Sequence, residues 1–347
     1  MRAGFSIILC CYNSAGRLYE TLGHIAALTI PEQLDAELLV IDNASTDDTA
    51  AIAKRLWKDN GTPFPLSILS QPRPGLSHAR MLGIREAKYE YLLFCDDDNW
   101  LRQDYLTVAT GILCAHPEVG MLGGFGAGVS DGPIPDWKHE IRIFGCGAQA
   151  AENGEAIILY GAGVILRKSI FNLLLKAGFS FLLPDREKER LSSGGDYELC
   201  YGVRMAGYKL WYDDRLYFRH FQPGDRFSLD YCKRFIRESS PALDILSIYR
   251  HFVYKPSRGI FSFYSDLIWD ILHHVKRSAI YFRRYSTMPV SNDNRLPPFF
   301  NYTYHKFRIY YILCFLPSAG KHYKKIYHLK QSLVCNPGVK VWQPTPN

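Results

Sequence analysis

Apolar residues recur along the first hundred positions in two alternating rhythms. Short, largely unbroken runs at Phe5–Cys11, Glu37–Ile41, Leu66–Ser70 and Tyr91–Cys95 read as strands covered on both faces. Between them lie longer stretches with helical spacing. One can be capped by Ser14 and runs to about Leu28; Thr46–Asn60 is closed by Gly61; Leu76–Lys88 follows. Strands separated by helices of this length predict βαβ units and a parallel sheet. Ligands of such sheets bind beyond the carboxyl ends of the strands. Polar residues stand at that edge three times: Asn13 after the first strand, Asp42 after the second, Asp96–Asp98 after the fourth.

Further along, the stretch from Gly120 to about Pro135 is rich in glycine and reads as loop around one short strand. Tyr160–Arg167 is apolar after a glycine-rich start, Gly194–Ala206 is helical, and Lys209–Tyr212 and Leu216–Phe218 are two short strands. The pattern changes near Gln222–Gly224. Beyond it Phe227–Tyr249 and Ile260–Tyr285 are helical, with Phe261, Tyr264, Ile268, Ile271 and Val275 on one face. The expected division is therefore 1–222, in halves of about 1–100 and 101–222, followed by a helical extension over 223–347.

The 347 residues, 47% apolar, can bury a large core. The opening MRAGFSIILCC lacks the long apolar core of a signal peptide and is read as a strand. Ile309–Pro317 falls far short of the roughly 20 residues that span a bilayer. Nine cysteines without a C-x-x-C pair are expected to be buried, reduced thiols of a cytosolic chain. The net charge of +7 is uneven: from Ile271 onward twelve Lys or Arg against Asp293 alone amount to +11, leaving −4 before it. Such a division points to an anionic surface as partner of the basic part.

The densest chemistry is Phe94-Cys95-Asp96-Asp97-Asp98-Asn99. Carboxylates packed after a buried strand repel one another unless a cation neutralises them, and a hard divalent ion with oxygen ligands and room for phosphates does so. The other reading is an acidic turn capping a following helix. Asp42 at its strand end can accept a base N–H, whereas Asp47 and Asp48 suit the first turn of a helix.

Together these segments resemble glycosyltransferase family 2. The resemblance is carried in order by Ser6 to Asn13, Ile41-Asp42-Asn43-Ala44-Ser45-Thr46-Asp47, Gly75-Leu76-Ser77-His78-Ala79-Arg80, Phe94 to Asn99, Tyr160-Gly161-Ala162-Gly163 and Gly195-Asp196-Tyr197-Glu198-Leu199, over about residues 4–222. It implies a GT-A fold, an α/β Rossmann-like, mixed but mainly parallel sheet flanked by helices. It also implies donor-binding residues Tyr12, Asn13, Asp42, Arg80, Asp96 and Asp97, with Tyr12 and Asp42 on the nucleobase. Asp98 and Asp96 would hold Mg²⁺ or Mn²⁺, with His220 a further candidate ligand or a structural histidine. Asp196 aligns with the base that deprotonates the acceptor hydroxyl. Met81 and Gly195 depart from the family pattern, which commonly has Asn and an acid there.

Gly161, Ala162 and Gly163 leave room for an acceptor sugar or for a tightly packed strand. Trp137 can stack on an acceptor or pack in the core. Glu198 is a rival base, although two positions on it faces elsewhere on a helix. Gln222 and Arg226 are similar to, but do not reproduce, the Gln-x-x-Arg-Trp motif of processive synthases.

The expectation is an inverting, nonprocessive, metal-dependent transferase that uses a nucleotide-sugar, preferably a UDP-sugar, and a glycan or lipid-linked acceptor in surface-glycan assembly. The basic, aromatic tail is expected to dock on an anionic membrane, placing the protein peripherally on the cytoplasmic face; a helical subdomain with a solvated basic rim is the plain alternative. No nucleic-acid module is recognised. A nucleotidyltransferase would need a Gly-rich basic loop after the first strand, and Cys10–Arg17 is poor in glycine. A membrane-binding module with an inactive transferase domain is the remaining alternative.

Overall fold

The computed structural model describes residues 2–137, 144–186, 190–288 and 296–335. Asp293, Arg295 and Lys340, which enter the charge of the tail, and Lys138 lie outside the described residues. Four parallel strands begin the fold: β1 (Arg2–Cys11), β2 (Asp35–Asp42), β3 (Leu66–Ser70) and β4 (Tyr89–Asp96), in the order β3-β2-β1-β4. Helices α1 (Leu18–Ala26), α2 (Thr49–Asp59) and α3 (Leu76–Glu86) make the crossovers. Ile7, Ile8, Leu9, Leu38, Leu92 and Leu93 are all buried, which is why these strands read as continuous apolar runs. Register decides the functional edge: Cys11 pairs with Asp42 and Cys10 with Asp96, so the polar ends of β1, β2 and β4 finish level. Ser14 does not cap α1, which starts four residues later; its hydroxyl accepts from the Tyr12 N–H at 3.0 Å and donates to Asp97.

The acidic run does not cap a helix either. It turns straight into a short strand, β5 (Asn99–Leu101), before α4 (Tyr105–Ala115). Then come β6 (Val119–Val129), β7 (Gly154–Ala156), β8 (Ile165–Arg167), α5 (Lys168–Lys176), α6 (Gly195–Met205) and β9 (Lys209–Phe221). The sheet continues β4-β8-β6-β9-β5, with β8 antiparallel to both neighbours, β6 parallel to β9, and β5 and β7 antiparallel on β9. The mixed, mainly parallel sheet flanked by helices is as expected.

Two segments differ from the expected loop and short strands. The glycine-rich stretch is an eleven-residue central strand, β6. Its glycines are demanded by neighbours: a Cβ on Gly124 would lie 1.9 Å from the Leu216 carbonyl oxygen, and one on Gly120 would press on Val203 and Ile170. The two short strands are one, β9, whose polar Asp213-Asp214-Arg215 is taken up by a register shift against β6 between Gly123 and Phe125.

After a short 3₁₀ turn (Gly224–Phe227) the chain is helical: α7 (Leu229–Ser239), α8 (Ala242–Tyr254), α9 (Ile260–Thr287) and the 39-residue α10 (Leu296–Val334). The single helix expected over Phe227–Tyr249 is broken at Pro241, which has no N–H to continue α7. These helices do not stand apart from the sheet. One apolar cluster joins Phe94, Met121 and Leu166 of the strands to Val203 of α6, Phe252 of α8, Phe263 of α9 and Ile312 and Tyr323 of α10. Arg308 of α10 is buried against Asp244 of α8, Nη2 to Oδ1 2.7 Å. Among the described residues no helix is long and apolar enough to cross a membrane.

Candidate active site at the carboxyl edge of the sheet

A cavity of about 790 Å³ opens where β1 and β4 end, roofed by α6–α8 and the start of α10. Its walls bring together Tyr12, Arg80, Asp96, Asp97, Asp98, Gly161, Ala162, Asp196 and His220. Segments more than two hundred residues apart in sequence meet there because β9 returns beside β5. Asn99 pairs with His220 in that ladder, which sets His220 next to Asp98.

The three acids have separate surroundings. Asp97 is bound by Arg17 at 2.6 Å and by the Ser14 hydroxyl, and its carbonyl accepts from Thr21 at 2.8 Å. It thereby ties the acidic turn to the start of α1. Asp98 receives Nε2 of His220 and Nη2 of Arg226, each at 3.3 Å. Burial works against its charge, but His220 and then Arg226 outweigh it and hold the carboxyl at about 2. Burial likewise opposes charge on His220, and Asp98 reverses this, raising it well above the ordinary imidazole value. Asp96 is pushed up by burial and by the like charge of Asp98, against the pull of Arg80.

A second group lines the same cavity. Asp196, in the first turn of α6, accepts at Oδ2 from the Gly161 N–H at 2.8 Å and at Oδ1 from the Tyr197 N–H at 2.9 Å. A Cβ on Gly161 would lie 2.6 Å from Arg80 Nη2 and 3.2 Å from Asp196 Cβ, so glycine lets Asp196, Arg80 and the backbone converge. Arg80 is buried, lies over the Phe94 ring and faces Asp185 at 3.6 Å. Burial pushes Asp185 up to about 6 despite Arg80. Asn43 fixes the start of α3, accepting from the Gly75 N–H at 2.8 Å and donating to the Gln71 and Arg73 carbonyls.

Other expected residues fall outside the cavity lining. Asn13, at φ +48°, accepts from the Thr46 N–H at 2.8 Å and pins β1 to the turn before α2. Asp42 accepts from the Ser45 N–H at 3.2 Å. Gly163, at φ +68°, accepts from the Tyr105 hydroxyl at 2.6 Å. Trp137 packs on Phe300, centroids 5.6 Å apart. Glu198 is turned away and fully buried, bonded to the Leu182 and Leu183 N–H groups and to the Tyr249 hydroxyl. Asp185 and Arg17 were not foreseen as site residues. No local pattern marks Asp185, which the fold selects by bonding its carbonyl to the Leu76 N–H at 2.8 Å.

Among the described residues no group of three or more His, Cys, Asp or Glu forms a ready metal cage. The donor chemistry still suits a hard ion that takes the rest of its ligands from phosphate oxygens. Nδ1 of His220 lies 3.1 Å from the Gly145 carbonyl, an acceptor that holds the Nδ1 proton and fixes the ring with Nε2 toward Asp98, where Nε2 would be the atom to bind an ion once its own proton is displaced.

Residues 6–175 match the glycosyl transferase family 2 model, and this region of the chain belongs to that family. The poly-beta-1,6-N-acetyl-D-glucosamine synthase of Staphylococcus epidermidis is 28% identical over 121 residues, 35% of this chain and 28% of that protein. The protein of the same name from Staphylococcus aureus strain MSSA476 is 29% identical over 101 residues, 29% of this chain and 23% of its own. The match thus spans about a quarter of the length of these relatives. The mannosyltransferase PcManGT of Pyrobaculum calidifontis, in complex with GDP-Man and Mn²⁺, superposes with a TM-score of 0.52 at 19% identity, over 96% of this chain and 86% of that one. The fold is the GT-A fold.

Proposed function

We propose that the protein transfers a sugar from a nucleotide-sugar to an acceptor hydroxyl by one inverting displacement. The observation that carries this is the single cavity shared by Asp196 and the Asp96–Asp98 row. Tyr12 and Asp42 take the nucleobase side, with Asn13 shaping the turn beneath it. Arg80 and Asp97, the latter through Arg17, order the diphosphate side. Asp98, Asp96 and His220 would hold Mg²⁺ or Mn²⁺, which when bound neutralises charge on the leaving diphosphate. Asp196 takes the acceptor proton as the hydroxyl oxygen bonds to the anomeric carbon, and the bond to the diphosphate breaks on the opposite face.

Gly161 and Ala162 line the cavity beside Asp196, where the acceptor would lie. The cavity is also lined by Tyr231, Phe235, Phe300 and Tyr304, which give it aromatic surfaces. A glycan or lipid-linked acceptor suits that lining, and the polymer named in the synthase relatives supports a glycan product. A UDP-sugar is the first donor to test. GDP-Man is the second, since the mannosyltransferase that shares the fold was solved with it. We assign residues 1–222 to transfer, about 1–100 to the donor half and 101–222 to the acceptor half, followed by the basic helical extension over 223–347. Gln222 and Arg226 serve Asp98 locally and are followed by Phe227, in keeping with nonprocessive transfer.

The test is a panel of UDP- and GDP-sugars with Mn²⁺, read by equilibrium binding and by the anomeric configuration of the product. Asp196→Asn should keep donor binding while transfer falls by about 10²–10⁴. A product with the donor's own configuration, or full transfer by the variant, overturns the single displacement on Asp196.

A further inference from the structure

Helix α9 turns large apolar side chains outward. Phe261 is 88% exposed, Trp269 68% and Ile268 58%, and Leu272, Val275 and Phe282 are exposed with them. Phe261, Ile268, Leu272, Val275 and Phe282 follow one another at seven, four, three and seven residues, so they lie on one side of the helix over about 30 Å. The opposite side, with Phe263 and Leu267, is buried in the core. A stripe of this length in water is a standing cost unless something covers it.

The charges beside the stripe say what covers it. Both acids of α9 are engaged by α8 and its C-cap: Asp266 by Lys255, just past the end of α8, at 2.6 Å, and Asp270 by Arg250 of α8 at 3.0 Å. Lys276 and Arg283 each follow a stripe residue by one position and stand on its flank, with Arg277 and Arg284 next to them. The antiparallel neighbour α10 holds six Lys or Arg and no acid. A second copy of the chain seated on the stripe would bring these cations against their own kind, whereas coiled-coil flanks carry both signs. An anionic leaflet accepts the apolar side chains at its acyl boundary and pairs the flanking cations with phosphates.

We propose that the outer face of α9, from Phe261 to Phe282, lies in the interfacial region of an anionic bilayer and holds the protein on it. This goes beyond the transfer chemistry and does not depend on it.

The full chain is spun down with vesicles of phosphatidylcholine alone and with about one-third phosphatidylglycerol. Binding is expected on the mixed vesicles and to weaken with salt. Ile268→Ser with Leu272→Ser should lower it by about tenfold or more, as for removal of two large apolar groups from a boundary. Lys276→Glu with Arg283→Glu should abolish the preference for anionic lipid. All four positions are exposed, so an unchanged melting temperature certifies the fold, and Mn²⁺-nucleotide binding measured without vesicles reports separately on the donor site. The inference is overturned if the chain stays in the supernatant, if both variants bind like the parent, or if sedimentation velocity shows a dimer that the serine variant dissociates.

Discussion

Nε2 of His220 lies 3.3 Å from Oδ1 of Asp98, across a two-strand ladder that joins the acidic turn to the last strand of the sheet. In the metal-free protein this pair is a charged contact, with His220 protonated and Asp98 ionised. A cation held there by His220 would have to displace the imidazole proton. Mn²⁺ affinity, followed by electron paramagnetic resonance, should therefore rise with pH through the range in which His220 titrates. Asp98→Asn should weaken Mn²⁺ by more than the about 10–100-fold typical of losing an outer-shell partner. Equal affinity in the variant would remove Asp98 from the metal site.

Gly161→Ala places a methyl group 2.6 Å from Arg80 Nη2. Overpacking at such a point costs about 1–3 kcal/mol. Because the same methyl crowds Asp196, transfer should fall more than donor binding does. Gly111→Ala in α4, with no atom within 4 Å of the new Cβ, is the matched control and should be neutral or slightly stabilising. Thermal unfolding and single-turnover transfer measure the two effects.

Burial drives Glu198 up to about 7 from an ordinary 4.5, against its bonds to Leu182, Tyr249 and Leu183. A group whose folded value is raised adds stability that is complete below its unfolded value and lost as pH climbs through the folded one. The melting temperature should thus decline between about pH 4.5 and 7, by the equivalent of ~1–3 kcal/mol from this residue. Glu198→Gln should flatten that decline; an unchanged slope assigns it to other groups.

Arg308 and Asp244 are both buried, and Arg308 also donates to the Ser240 carbonyl at 2.7 Å, bracing the break at Pro241. Arg308→Met leaves a carboxylate without its partner and should cost about 3–5 kcal/mol in urea unfolding. Adding Asp244→Leu should recover much of that loss. Additive losses in the double variant would show that the two side chains do not act as a pair.

The strands β1 to β4 and the acids at their ends were legible in sequence because their cause is local: unbroken apolar runs punctuated by polar residues predict a doubly covered sheet with a functional edge. The order of the family motifs was legible for the same reason. What only the tertiary structure decided is what lies across space. Gly120 and Gly124 read as loop residues until Val203 and the Leu216 carbonyl are packed against them. Nothing near Asp185 announces that it will face Arg80, and nothing near Asp98 says whether His220 or Arg226 will reach it. Helical spacing showed that one side of α9 is apolar, but whether that side is inner or outer depends on what α8 and α10 bury. Periodicity is a property of neighbours along the chain, whereas partner choice is settled by burial and charge among segments that meet only once the chain has folded.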